Sequence, residues 1–118
     1  MNTKLIFESS RGFVVFSYHV SHGLLLFRSR KTKQHPTRVD ILFQDVRAME
    51  ARCWFDGITI EEVDATFLKG FRSNPAKMIE PGNRVYSLKG GEWQGFVVGG
   101  IVLTKEDDEE FFAPSGLM

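Results

Sequence analysis

Three histidines and one cysteine are the softest ligands this 118-residue chain has to offer. His19-x-x-His22, completed by Cys53 or His35, is the one set that could be written as a metal site. Zinc needs three or four ligands converging at about 2.0–2.3 Å, usually from tight spacings such as C-x-x-C. Here one pair straddles a predicted turn and the other two ligands are far along the chain. The expectation is therefore a strand-end histidine and a turn histidine, with no metal. Nucleophilic catalysis would ask for a thiol or hydroxyl beside a base that a carboxylate orients. Cys53 with His19 or His22 and Asp40 or Asp56 meets that only as a list of types. Cys53 falls on the apolar parity of its run, so a buried, reduced thiol is expected. Glu61 and Glu62 are adjacent and point to opposite faces of a strand, so they make no carboxylate pair. Neither G-x-G-x-x-G nor G-x-x-x-x-G-K-[ST] occurs, and Gly90-Gly91 and Gly99-Gly100 have no helix after them. No cofactor is expected, and enzymatic activity is secondary to binding.

Charge is more informative than chemistry. Lys plus Arg and Asp plus Glu both number 15, for a net charge of zero. Residues 1–55 carry nine Lys/Arg against four Asp/Glu (+5), and residues 56–118 carry six against eleven (−5). The basic density is Arg28, Arg30, Lys31, Lys33 and Arg38, with His35 among them, predicted as a charged, exposed hairpin tip. Such a hairpin could track phosphates while Phe27 or Trp54 stacks bases, which makes nucleic-acid binding one alternative. Like charges there would also discourage edge-to-edge sheet pairing. The acidic density is Glu106, Asp107, Asp108, Glu109 and Glu110. It is expected to lie against the 28–38 hairpin, of the same molecule or of a neighbour, in a weak and salt-sensitive contact.

The elements that must position these groups read as strands. Val39, Ile41 and Phe43 alternate with polar or less buried neighbours, and Met49, Ala51, Cys53 and Phe55 do the same, so each run can line one face. Asp56-Gly57 between Phe55 and Ile58 is a hairpin signal. Ser9-Ser10-Arg11-Gly12 reads as a hairpin loop between 4–8 and 13–20, Ser21-His22-Gly23 as a turn, and 24–29 as a third strand. Residues 46–55 carry both signals: Asp45 could cap a helix, but the alternation favours a strand. Residues 64–72 read as a short helix capped by Asp64, with Phe67, Leu68 and Phe71 on one face. Pro81-Gly82 suggests a turn, Lys89-Gly90-Gly91 a hairpin, and Gly99-Gly100 a bulge or break in the long run 92–104.

Together these predict a mostly β chain, in the α+β sense: one curved antiparallel sheet or partly open barrel of about seven or eight strands with one short helix. The division expected is a domain over 1–105 and a partly flexible acidic and aromatic tail over 106–118. The N-terminal segment lacks the pattern of a signal peptide, and no stretch of 18 apolar residues could cross a membrane. A cytoplasmic protein with a reduced thiol is expected.

Phe is abundant at 11 residues, and the aromatic payload must be packed or offered to a partner. The leading expectation is a non-catalytic protein-interaction module, binding a protein partner or its own copy through aromatics such as Trp54 and Trp93. A second is a small-molecule binder or enzyme with a cavity in the curved sheet, lined by Tyr18, His19, Arg52 and Trp54. The tempo of short antiparallel strands, an Asp-Gly hairpin and one small helix also resembles the architecture of small bacterial immunity proteins over about half the chain. That resemblance implies a protein that neutralises a partner.

Overall fold

The computed structural model describes residues 3–118. Its strands are β1 (Lys4–His19), β2 (Leu24–Ser29), β3 (Arg38–Phe43), β4 (Ala48–Glu50), β5 (Trp54–Val63), β6 (Arg84–Lys89), β7 (Gln94–Gly99) and β8 (Val102–Asp107). All eight form one antiparallel sheet in the order β4-β7-β6-β5-β1-β2-β3-β8. The end strands β4 and β8 do not pair with each other, so the sheet curls without closing.

The curl is built into β1. Three times along its 16 residues β1 spends one residue more than its partner. The excess lies between Leu5 and Phe7 and between Ser9 and Gly12 against β5, and between Val15 and Ser17 against β2. An extra residue on one strand bends it and raises its twist, so β1 bends along its length and carries its neighbours with it. At the other side, the link between β3 and β4 runs beside the link between β7 and β8. Gln44 N–H donates to Ile101 O (3.0 Å), Gly100 N–H to Gln44 O (2.8 Å) and Arg47 N–H to Val98 O (2.7 Å). These bonds draw the two ends of the strand order together. The Tyr86 hydroxyl donates to Gly100 O at 2.7 Å and pins the same break from β6.

The concave face is the main core. Phe13, Leu25, Phe27, Ile41, Phe43, Phe55, Ile60, Tyr86, Leu88 and Val97 come from six strands and form one cluster. Phe27 meets Phe43 and Phe55 edge-on, with centroids 5.8 Å and 5.4 Å apart, while Phe13 stacks on Phe55 at 6.0 Å. A smaller cluster on the convex face gathers Val63, Leu68, Val85, Phe96 and Val98 beneath Phe67, Phe71 and Ile79.

Several expectations change. The Ser9-Ser10-Arg11-Gly12 segment and Asp56-Gly57 are not hairpin turns. They lie opposite each other inside continuous β1 and β5, with Ser9 paired to Ile58 and Gly12 to Asp56. The positive φ of Gly57 (76°) serves that bulged stretch instead of a reversal. Between 46 and 55 only Ala48–Glu50 pairs, on β7, before β5 begins at Trp54. Cys53 is exposed, not buried, because the chain leaves the sheet over 51–53. The helix over 64–72 is a 3-10 turn, Ala65–Gly70, followed by a second over Pro75–Met78. Asp64 does cap the first, accepting from Thr66 N–H at 2.9 Å. β8 runs to Asp107, two residues past the boundary expected at 105. No helix among the described residues is long and apolar enough to cross a membrane.

Candidate functional site

Arg28 and Arg38 are the residues to begin with, because both are fully buried. On β2, Leu25 and Phe27 face the core, so Arg28 takes the opposite, convex side; on β3, Val39 and Ile41 do the same for Arg38 and Asp40. Arg28 stands opposite Asp40 in the ladder and grips it with two bonds, Nε to Oδ1 at 2.7 Å and Nη2 to Oδ2 at 3.0 Å. Arg38 stands opposite Asp107 and grips it likewise, both bonds 3.0 Å. A desolvated guanidinium needs every N–H satisfied. The C-terminal segment supplies what the carboxylates leave over. Arg28 Nη1 donates to Phe111 O (2.7 Å) and Ala113 O (3.0 Å). Arg38 Nη1 donates to Glu110 O and Ala113 O, both 2.8 Å, and its Nη2 to Pro114 O at 3.2 Å. Ala113 O thus accepts from both arginines.

The clamp fixes a set of aromatics. The Arg28 guanidinium lies 4.1 Å from the centre of the Phe16 ring, within cation–π range. Phe16 in turn meets Phe111 (5.4 Å, edge-on) and Phe112 (6.2 Å). Phe112 is left 84% exposed. Val14 pairs with Arg28 on one side and Trp54 on the other, so the three share the convex face, and Trp54 is 70% exposed. Trp54, Val14, Phe16 and Phe112 therefore form an apolar strip along the outside of β1.

Beside the strip is a pocket of about 440 Å³. The buried Phe13 and Phe55 and the exposed Trp54 are among its lining residues. Arg11, Arg30, Thr32, His35 and Asp56 supply its polar groups. Arg11 is held by Thr37 O (3.0 Å) and reaches the Glu106 carboxylate at 3.3 Å. Thr32 and His35 close their loop on each other: Thr32 N–H donates to His35 O (2.8 Å) and His35 N–H to the Thr32 hydroxyl (3.0 Å).

The expected basic patch is thus divided. Arg28 and Arg38 are inside the protein, and the exposed hairpin tip keeps Arg30, Lys31 and Lys33. Lys31 donates to Asp108 O at 2.9 Å. The acidic run does meet the 28–38 segment of its own molecule, at Thr37–Glu106, Lys31–Asp108 O and Arg38–Asp107, but the last of these is not a weak surface contact; Arg11, outside that segment, also reaches Glu106. The Thr37 hydroxyl, and after it the Arg11 guanidinium, hold Glu106 below its usual pKa; the bonds from Arg38 do the same for Asp107 against the opposing effect of burial. Asp108, Glu109 and Glu110 have exposed side chains, and the backbone oxygens of Asp108 and Glu110 are what the cations use.

Of the four residues expected to line a cavity, only Trp54 borders this pocket. Tyr18 and His19 lie at the far end of β1, paired with Leu25 and Leu24. Arg52 is exposed, with its guanidinium 5.8 Å from the Trp93 ring, and Trp93 packs against Phe55 (5.1 Å). Among the described residues no three His, Cys, Asp or Glu side chains converge as a metal site. Sequence reasoning marks neither Phe16 nor Arg11 as a site residue; it leaves Phe111-Phe112 to dock back onto the body or bind a partner, and both rings meet Phe16. The outward parity of Arg28, Arg38 and Asp40 within otherwise apolar strands was the signal that could have found the clamp. Comparison with protein-family models, with curated proteins and with solved structures gave no match.

Proposed function

We propose that the protein is a non-catalytic interaction module that seats a protein partner along the outer face of β1. The observation that carries this reading is the strip Trp54–Val14–Phe16–Phe112, whose two end residues are 70% and 84% exposed. Large aromatics left open on a rigid sheet are what buried interface centres are made of. Phe112 is not a loose terminal residue, because the buried arginines hold the carbonyls on either side of it, those of Phe111 and Ala113. The adjoining loop presents Arg30, Lys31 and Lys33, so the fitting partner offers apolar side chains flanked by acidic ones.

The test compares the parent with the double variant Trp54→Ser/Phe112→Ser, both residues being exposed enough to replace without disturbing the core. Proteins retained from a source lysate by each are identified, and sedimentation velocity is run over a concentration series. The expected result is a partner, or a second copy of the chain, that the parent holds and the double variant loses. A monomeric parent with the same retained proteins as the variant would refute the reading.

A further inference from the structure

We propose that the pocket beside Trp54 binds a planar anion of the mononucleotide class, a role that shares Trp54 and Arg30 with the proposed protein interface but does not use Phe112. Its volume of about 440 Å³ lies within the range of small-molecule sites, about 300–1,000 Å³. Three kinds of group converge there, and each matches a different part of one ligand. The exposed Trp54 ring offers a face on which a base stacks, a contact available to any aromatic heterocycle. Arg30 is exposed in the lining and can meet an anion, while Arg11 is already shared between Thr37 O (3.0 Å) and the Glu106 carboxylate (3.3 Å), which offsets its charge. Guanidinium groups suit phosphate oxygens, which they can meet with paired N–H bonds. Asp56 is an acceptor, and an anion alone would be repelled by it; a base edge carrying adjacent N–H donors would be drawn to it. Guanine presents two such donors together and adenine does not, so the pocket favours a guanine nucleotide.

Part of the site is also held before any ligand arrives. Arg11 is anchored on Thr37 O, and the loop carrying Arg30 and His35 is closed by the reciprocal Thr32–His35 bonds. Little ordering is left to oppose binding.

Calorimetric titration of the parent with GMP, AMP, guanosine and inorganic phosphate at low salt tests the assignment. GMP should bind, with guanosine and inorganic phosphate each at least tenfold weaker because each engages only part of the site. Trp54→Ala and Arg30→Glu, both at exposed positions, should each weaken GMP at least tenfold while circular dichroism stays that of the parent. Phe112→Ser, which alters the protein-binding strip alone, should leave GMP binding unchanged, so failure of one proposal does not imply failure of the other. No heat with GMP at millimolar concentration, or GMP binding that both pocket variants leave unchanged, overturns the proposal. AMP binding as tightly as GMP overturns the role given to Asp56.

Discussion

Arg28 and Asp40 show how a charged pair can be an interior feature without being a stability gain in itself. Desolvating two ions costs several kcal/mol, and their bidentate contact offsets this only while both are present. Arg28→Met should therefore leave Asp40 buried and unpaired and lower stability by about 3–5 kcal/mol, read by urea unfolding. Adding Asp40→Leu should recover part of the loss; a double variant no better than the single would mean that the bonds to Phe111 and Ala113 carry the effect. Asp107 adds a pH dependence. Its folded-state pKa lies below the ordinary 3.8 because Arg38 bonds its carboxylate. The contribution is thus complete above the unfolded value and disappears as pH falls from there through the folded one. Stability should drop in acid below about pH 4, and Asp107→Asn should show a shallower drop over the same window. The alternation in β3 was legible in the sequence, and so was the opposite sign of the two charged runs. That the outward arginines are covered was not legible, because the cover comes from residues 110–114, more than 70 positions after Arg38. Charge on a strand normally means solvent, and only a distant segment reverses it.

At the level of elements, the strands, the break at Gly99-Gly100 and the Asp64 cap could be read locally, since alternation and turn residues report on local backbone. The two apparent hairpins could not. A bulge and a hairpin both recruit glycine and small polar residues, and the difference lies in the partner strand, which local pattern does not contain. Gly57 at φ 76° should therefore respond as a bulge residue: Gly57→Ala is expected to cost about 1–2 kcal/mol through the left-handed backbone, without changing the order of the strands. Gly95 is constrained differently. A Cβ there would clash with the Glu50 carbonyl oxygen on β4. β4 is only three residues long and pairs only with β7, so Gly95→Ala should dislodge it at a cost of about 1–3 kcal/mol. Hydrogen exchange should show protection lost at 48–50 and kept in β1 and β2; protection unchanged at 48–50 would mean the backbone accommodates the methyl group.

Over the whole molecule, the positive and negative halves of the chain are brought together where β8 completes the sheet beside β3. Glu106 and Asp107 are held through their carboxylates, but the segment after Asp107 is stitched to the domain through backbone carbonyls, so its sequence charge is a poor guide to how it is held. That stitching is what makes Phe111 and Phe112 part of the same face as Trp54 and Phe16, and the protein-binding proposal depends on it. The most direct measurement is urea unfolding of a chain lacking residues 108–118, compared with one in which Asp108, Glu109 and Glu110 are replaced by Ser. Deletion removes five guanidinium–carbonyl bonds, and water admitted to the arginines repays part of each. The expected result is a loss of about 2–4 kcal/mol on deletion, with the Ser variant within about 0.5 kcal/mol of the parent. A deleted chain that unfolds at the parent's urea midpoint would contradict the account, because the C-terminal segment would then be an appendage and not a wall of the binding face.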